Sequence, residues 1–294
     1  MKILWMTSLR PLTVSKSNDL IQDNFINSII SLDSNIEFSF TQFDETGVQN
    51  FIDSKKIKKF YTNIPKSSLP SGKKYSNKIM LSNALDEFLD NDFTHLVYST
   101  ADIIAPSNLI YNLEKFNKMN NNYCALIYPN ILCKNGMIES TFWPHYGIDL
   151  FVFKLSKEKA NYFKKIIQSW DQYDWGINDN FYVAASEALN LSIHNMYKNS
   201  SVIKHENNFS DFDEGKNWRV LSWNENKKFF LNFLQSNNVS LNYARFSYYF
   251  LLLKIFNFRD LSPKLFMSYL IFYTYFPIQK VYNLIYSMLN KKSR

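Results

Sequence analysis

His95-Leu96-Val97-Tyr98-Ser99-Thr100-Ala101-Asp102-Ile103-Ile104-Ala105-Pro106 is the stretch from which the fold is read. An apolar strand, His95 to Ser99, runs straight into a polar end carrying an acid, and Pro106 and Ser107 then open a helix through about Phe116. The same grammar extends to both sides. Lys2 to Thr7 reads as a buried strand, and Ser17 to Leu32 carries a helical stripe of Leu20, Ile21, Phe25, Ile29 and Leu32. Ile36 to Thr41 alternates as a second strand. Thr46 to Asp53 makes a short helix, Ile57 to Tyr61 a third strand, and Lys74 to Leu89 a long helix burying Ile79, Leu81, Leu85, Phe88 and Leu89. Cys124 to Tyr128 and Ile148 to Lys154 add further strands. Strands alternating with helices predict an α/β domain, a mostly parallel sheet covered on both faces, with ligands gathering beyond the carboxyl ends of the strands. Thr7 to Arg10 and Ser99 to Asp102 fall at such ends.

The 294 residues, 46% hydrophobic and 20% charged, are enough for one large domain with an appendage and exclude a mainly disordered chain. Six Gly and eight Pro exclude collagen-like and low-complexity sequence, and no repeat occurs at solenoid periods. Two cysteines, Cys124 and Cys133, fit neither a disulfide framework nor a four-ligand zinc site and read as buried thiols. The first residues, Met1 to Arg10, hold an apolar run broken at Thr7, too short for a signal-peptide core, so the chain is expected to be cytoplasmic.

Charge divides the chain at Tyr243. Residues 244–294 hold eight basic side chains and one acid, Asp260, which equals the net charge of +7 of the whole protein. Residues 1–243 are therefore neutral, and a pI of 9.1 reflects one terminal segment and not a nucleic-acid groove. The basic segment also concentrates Phe and Tyr, from Phe246 to Tyr286, in helix-length apolar stretches punctuated by Asp260, Pro263 and Pro277. Leu265 to Gln279 is too short and interrupted for a spanning helix, which needs about 20 apolar residues. Residues 244–294 are expected to lie on an anionic membrane surface, residues 1–243 to form the domain proper, and the protein to be peripheral on the inner face of the membrane.

Absences narrow the chemistry. Neither Gly-x-x-x-x-Gly-Lys-Ser/Thr nor Gly-x-Gly-x-x-Gly occurs, nor Gly-x-Ser-x-Gly, nor His-Glu-x-x-His. Phosphate-loop phosphotransfer, hydride transfer, serine hydrolysis and zinc proteolysis lose their usual signatures.

Three segments point instead to one reaction type. The strand ending at Asp102 resembles the Asp-x-Asp region of GT-A glycosyltransferases, with Asp102 at the second aspartate and Thr100 in place of the first. Asp174-Trp175-Gly176-Ile177-Asn178-Asp179-Asn180-Phe181, followed by a helical stretch to about Leu189, resembles the Trp-Gly-x-Glu-Asp segment of inverting galactosyltransferases, with Asn178 where that family has an acid. Ser201-Val202-Ile203-Lys204-His205-Glu206 is a short strand ending in histidine, at a distance from Asp179 similar to that of the late histidine of GT-A enzymes.

The resemblance is strongest over residues 73–206. It implies a GT-A fold, Rossmann-like with its sheet flanked by helices, and a sugar moved from a nucleotide-sugar donor to a hydroxyl of a glycan or glycolipid acceptor. It implies Asp179 as general base, hence inversion. Asp102 and His205 would hold a divalent cation, Mn2+ or Mg2+, whose hard-ligand preference suits the carboxylate. Thr7, Arg10, Lys78, Thr100, Asp102 and Asp149 would meet the nucleotide sugar, with Lys78 following Lys73 and Lys74 in a basic run, and Trp143, His145, Tyr146, Trp175 and Asn178 the acceptor. A lipid-linked acceptor, in assembly of a surface polysaccharide, capsule or lipopolysaccharide, suits a membrane-seeking tail. A non-catalytic glycan-binding relative, motivated by Thr100, and a membrane-surface scaffold are the alternatives.

Overall fold

A computed structural model describes residues 1–12, 16–33, 35–69, 76–119, 122–128, 130–134, 137–138, 149–169, 178–196, 202–205, 232–233 and 235–237. In chain order the elements are β1 (Ile3–Thr7), α1 (Lys16–Ile30), β2 (Ile36–Gln42), α2 (Val48–Ser54), β3 (Lys59–Asn63), a 3-10 turn at Lys66–Ser68, α3 (Asn77–Asp90), β4 (His95–Ser99), β5 (Ile103–Ile104), α4 (Leu109–Met119), β6 (Cys124–Tyr128), β7 (Asn130–Lys134), β8 (Met137–Ile138), β9 (Leu150–Lys154), α5 (Lys157–Gln168), α6 (Asn178–Ala188), β10 (Ser192–Asn195) and β11 (Val202–His205).

Seven strands form the main sheet in the order β10-β6-β9-β4-β1-β2-β3. β1, β2, β3 and β4 are mutually parallel, as are β6 and β10, and β9 alone runs against its neighbours β4 and β6. Alternation builds the two faces. Leu4, Met6, Leu96, Tyr98, Phe151 and Phe153 pack with α3, α5 and α6 on one side. Ile3, Trp5, Val97, Leu150 and Val152 pack with residues of α1, α2 and α4 on the other. A strand buried on both faces reads as a continuous apolar run, which is why β1 and β9 are apolar up to their last residue.

The strand from His95 to Ser99 and that from Cys124 to Tyr128 have the predicted bounds. β3 begins two residues later than expected, because Lys56 adopts a positive φ of 50° and turns the chain before it can pair. Helix α5 was not legible as an element of its own. Ser156 caps it by accepting from the Lys159 amide at 3.2 Å, and Ala160, Phe163, Ile166 and Ile167 form its buried stripe. A second sheet, β5-β11-β7-β8, sits where the chain leaves β4 and β6. Cys124 is buried, and burial pushes its thiol up to about 11. Residues 244–294 lie outside the described residues; among those described, no helix is long and apolar enough to cross a membrane.

Glu87 of α3 is half-buried, its Oε2 shielded from solvent near the Ser39 hydroxyl of β2. Burial pushes the Glu87 carboxyl up to about 7 from 4.5, opposed by the nearby Ser39 hydroxyl and reinforced by Asp86. The folded state thus holds a proton that the unfolded state releases, so the stability this group contributes is complete below pH 4.5 and lost as pH rises through 7. Glu87→Gln should therefore match the parent at about pH 4 and exceed it above pH 7 by about 1–3 kcal/mol, as the carboxylate loses its protonated folded form. Urea unfolding at both pH values checks this, and a difference independent of pH contradicts it.

Candidate active site

The carboxyl ends of β1 and β4 are joined by side chains. The Trp5 indole Nε1 donates to the Ser99 hydroxyl at 2.7 Å, and the Thr7 hydroxyl donates to the Ser99 carbonyl at 3.0 Å. Both Thr7 and Ser99 are buried, so these bonds satisfy groups that would otherwise be stranded. On the other flank the Thr100 amide donates to the Asp149 carbonyl at 3.2 Å, one step beyond the Ser99↔Leu150 pair. Asp149 is buried there.

Asp102 stands at the centre. It is 4% exposed. Its Oδ1 accepts the Thr100 hydroxyl at 2.5 Å and its Oδ2 faces the Arg10 guanidinium Nη2 at 3.5 Å. Arg10 comes from the segment just beyond β1, and 23% of its side chain is exposed. Its backbone is held on both sides by the buried Gln22 of α1: the Arg10 amide donates to Gln22 Oε1 at 2.6 Å and the Gln22 amide donates back to the Arg10 carbonyl at 3.3 Å. The preceding residue is treated likewise by Gln42 at the end of β2. With its amide turned to satisfy its surroundings, Gln42 donates to the Leu9 carbonyl and accepts from the Leu9 amide, both at 2.9 Å. Neither glutamine was singled out by sequence reasoning. The available signal was a polar residue on the stripe of α1, Gln22 lying three and seven positions before Phe25 and Ile29.

Backbone placement brings the other two segments to the same edge. β11 runs antiparallel to β5 with Lys204 opposite Ile103, so the next register position sets His205 beside Asp102; on its other side His205 is paired with Cys133 of β7. α6 returns the chain to the amino end of the sheet, where the Ser192 amide donates to the carbonyl of Tyr123, the residue before β6. Its 11 residues span about 16 Å, close to the height of a five-residue strand, so its first turn, holding Asn178 and Asp179, reaches the carboxyl edge. Tyr182, one turn further on, packs its ring 4.7 Å from Tyr98 of β4.

Thr7, Arg10, Thr100, Asp102 and Asp149 thus share one edge, with the backbones of Asp179 and His205 directed to it. Lys78 lies in the first turn of α3, where its ammonium donates to the Gln168 carbonyl at 3.5 Å at the end of α5. Trp143, His145, Tyr146 and Trp175, together with Lys73 and Lys74, lie outside the described residues. Among the described residues no group of three His, Cys, Asp or Glu side chains is arranged to hold a metal. A separate groove of about 400 Å3, lined by Tyr162, Ile166 and Phe233 among others, lies between α5 and residues 232–237 and shares none of these groups. Chemistry, not size, makes the Asp102 edge the candidate site, because the residues lining the groove include no acid, histidine or thiol.

The arrangement is that of a GT-A fold: a mostly parallel Rossmann-like sheet flanked by helices, with its polar groups at the carboxyl edge between β1 and β4. Among solved structures, the chain is similar to residues 1–349 of Staphylococcus aureus TarS in complex with UDP-GlcNAc, with a TM-score of 0.52, 9% identity, and 80% of this chain and 67% of that one covered. It is also similar to the mannosyltransferase PcManGT of Pyrobaculum calidifontis in complex with GDP-Man and Mn2+, with a TM-score of 0.47, 10% identity, and 93% and 75% covered. No protein-family model and no curated protein matches the sequence.

Ser99→Ala removes the acceptor of the buried Trp5 indole. It should cost about 1–3 kcal/mol of stability in denaturant unfolding; an unchanged midpoint would show that the bond does not tie β1 to β4.

Proposed function

We propose that the chain is a nucleotide-sugar-dependent glycosyltransferase whose donor lies over the carboxyl ends of β1 and β4. The observation that carries this reading is the Thr100–Asp102–Arg10 group at that edge, in a GT-A fold, with the first turn of α6 on the same edge. The donor complex of TarS, of the same fold, lends it support.

Asp179 is the proposed general base. A carboxylate is the side chain that can take the acceptor proton here, and its position at the carboxyl edge is what the role requires. It removes the proton of the acceptor hydroxyl as that oxygen bonds to the anomeric carbon, while the bond from that carbon to the diphosphate breaks and the nucleoside diphosphate leaves with the electron pair. Displacement in line inverts the anomeric centre. Thr7 and Arg10 line the nucleotide, Asp149 and Lys78 the donor, and Trp143, His145, Tyr146, Trp175 and Asn178 the acceptor, on the strength of the motif resemblance.

A divalent cation is the usual partner of an Asp-x-Asp pair. Here Thr100 removes one carboxylate, and the other, Asp102, is buried with one oxygen on a hydroxyl and one on a guanidinium. A dication at Asp102 and His205 would have to displace Arg10 from Asp102. This donor set does not fit a resident Mn2+ or Mg2+ as it stands, and no step of the reaction is routed through one.

The acceptor is proposed to be lipid-linked, in surface polysaccharide, capsule or lipopolysaccharide assembly, with the protein cytoplasmic and peripheral on the membrane through residues 244–294. Each basic residue near an anionic leaflet contributes about 1 kcal/mol.

Asp179→Asn should lower kcat by about 100-fold or more while leaving nucleotide binding intact, read by release of the nucleoside diphosphate from a panel of UDP-, GDP-, CMP- and dTDP-sugars. Turnover that survives the substitution removes Asp179 from the mechanism. Replacing Lys291, Lys292 and Arg294 by Gln in the full chain should weaken sedimentation with phosphatidylserine vesicles by about 10- to 100-fold. Equal sedimentation of both proteins contradicts the membrane assignment.

A further inference from the structure

We propose that Arg10 is the resident cation of the donor site, so that the diphosphate is met by a guanidinium held in place by Gln22 and Gln42 and not by a divalent metal. The inference rests on the glycosyltransferase reading above.

Charge decides between the two cations. The Arg10 guanidinium faces Asp102, and Thr100 supplies a hydroxyl where a second carboxylate would have drawn a dication. A dication approaching Asp102 meets the repulsion of the guanidinium. A diphosphate ester brings two negative charges to a planar fork of five N–H donors, which matches phosphate oxygens in bidentate geometry. With 23% of its side chain exposed, Arg10 reaches the solvent side of the pair, while Asp102 stays beneath it. Asp102 then acts as the anchor that aims the guanidinium, a positioning residue in place of a metal ligand.

The backbone beneath Arg10 is built for such a role. Beyond the end of β1 a chain ordinarily becomes a loop, free to move. Here Leu9 and Arg10 each exchange two hydrogen bonds with a glutamine amide, which reproduces on side chains the pairing a sheet neighbour would provide. The two glutamines come from different elements, α1 and β2, and are 2% and 0% exposed. The two amides satisfy main-chain groups at the end of β1, where Leu9 is itself a core residue. They also fix the Cα of Arg10 at the carboxyl edge before any ligand arrives, so that little ordering remains to be done on binding.

Calorimetric titration of the full chain with UDP, GDP, CDP and dTDP, in EDTA and then in excess Mn2+, tests this. At least one nucleotide should bind in EDTA, with affinity changed by less than about threefold on adding Mn2+, against the tenfold and more expected of a required ion. Arg10→Lys keeps the charge but loses the fork, and should weaken that nucleotide by about 10-fold or more. Gln22→Ala should weaken it too, and the losses should be non-additive in the double variant, since both act through one guanidinium. Additive losses overturn the positioning role of Gln22. Binding lost in EDTA and restored by Mn2+ overturns the assignment of Arg10 while leaving the glycosyltransferase reading in place. Absence of binding in both conditions overturns that reading and the inference with it. If Arg10→Lys fails to fold by circular dichroism, the comparison of EDTA with Mn2+ on the parent protein still decides.

Discussion

Parallel pairing of β1 with β4, closed at its carboxyl end by the bonds from Trp5 and Thr7 to Ser99, is the constraint on which the rest of this molecule depends. Strands far apart in sequence cannot be joined in parallel by a tight turn; the intervening chain must cross over and cover a face of the sheet. α1, α2 and α3 do this, and their stripes are buried by Trp5 and Val97 on one side and by Met6 and Tyr98 on the other. Once those faces are dry, polar groups can leave the sheet only at its edges. Thr7, Ser99, Thr100 and Asp102 accordingly collect where β1 and β4 end.

That edge carries an ion pair between the buried Asp102 and the half-buried Arg10, and pairs drawn out of water are poor sources of stability. Desolvating the charges offsets most of their attraction. Retention of Arg10 against Asp102 is therefore better explained by what the pair positions than by what it stabilises. The glutamine contacts on Leu9 and Arg10 agree with this view, since they hold the backbone of Arg10 in place as well as satisfying that of the buried Leu9. His95, at the opposite end of β4, presents the contrast. It is buried between Thr94 and Asn117, its imidazole pushed down to about 4 by burial, and it seals the amino edge far from any candidate chemistry.

The fold was legible where hydrophobic period was strong. β1, β2, β4, β6, α1, α3 and the strand–helix alternation all follow from runs and stripes long enough to have no competing reading. β5 and β8 were not legible, because two residues cannot display a period. The reversal of β9 was invisible for a different reason: an apolar run buried on both faces reads the same in either direction. At the site, Asp102 was visible because an acid at the end of a buried strand is conspicuous, and Thr100 because it breaks an Asp-x-Asp pattern. The pairing of Arg10 with Asp102 could not be read, since it spans 92 positions and depends on strand order. Gln22 and Gln42 were hidden by being ordinary residues in ordinary elements, whose partners are backbone atoms that carry no sequence signal.

The central claim is that a nucleoside diphosphate sits over the carboxyl ends of β1 and β4, against Arg10. A crystal structure of the full chain soaked with UDP or GDP tests it most directly. The account predicts phosphate oxygens within hydrogen-bonding distance of the Arg10 guanidinium, above the Thr100–Asp102 pair. A nucleotide seated elsewhere, such as in the groove between α5 and residues 232–237, with the Arg10 edge filled only by solvent, would contradict it.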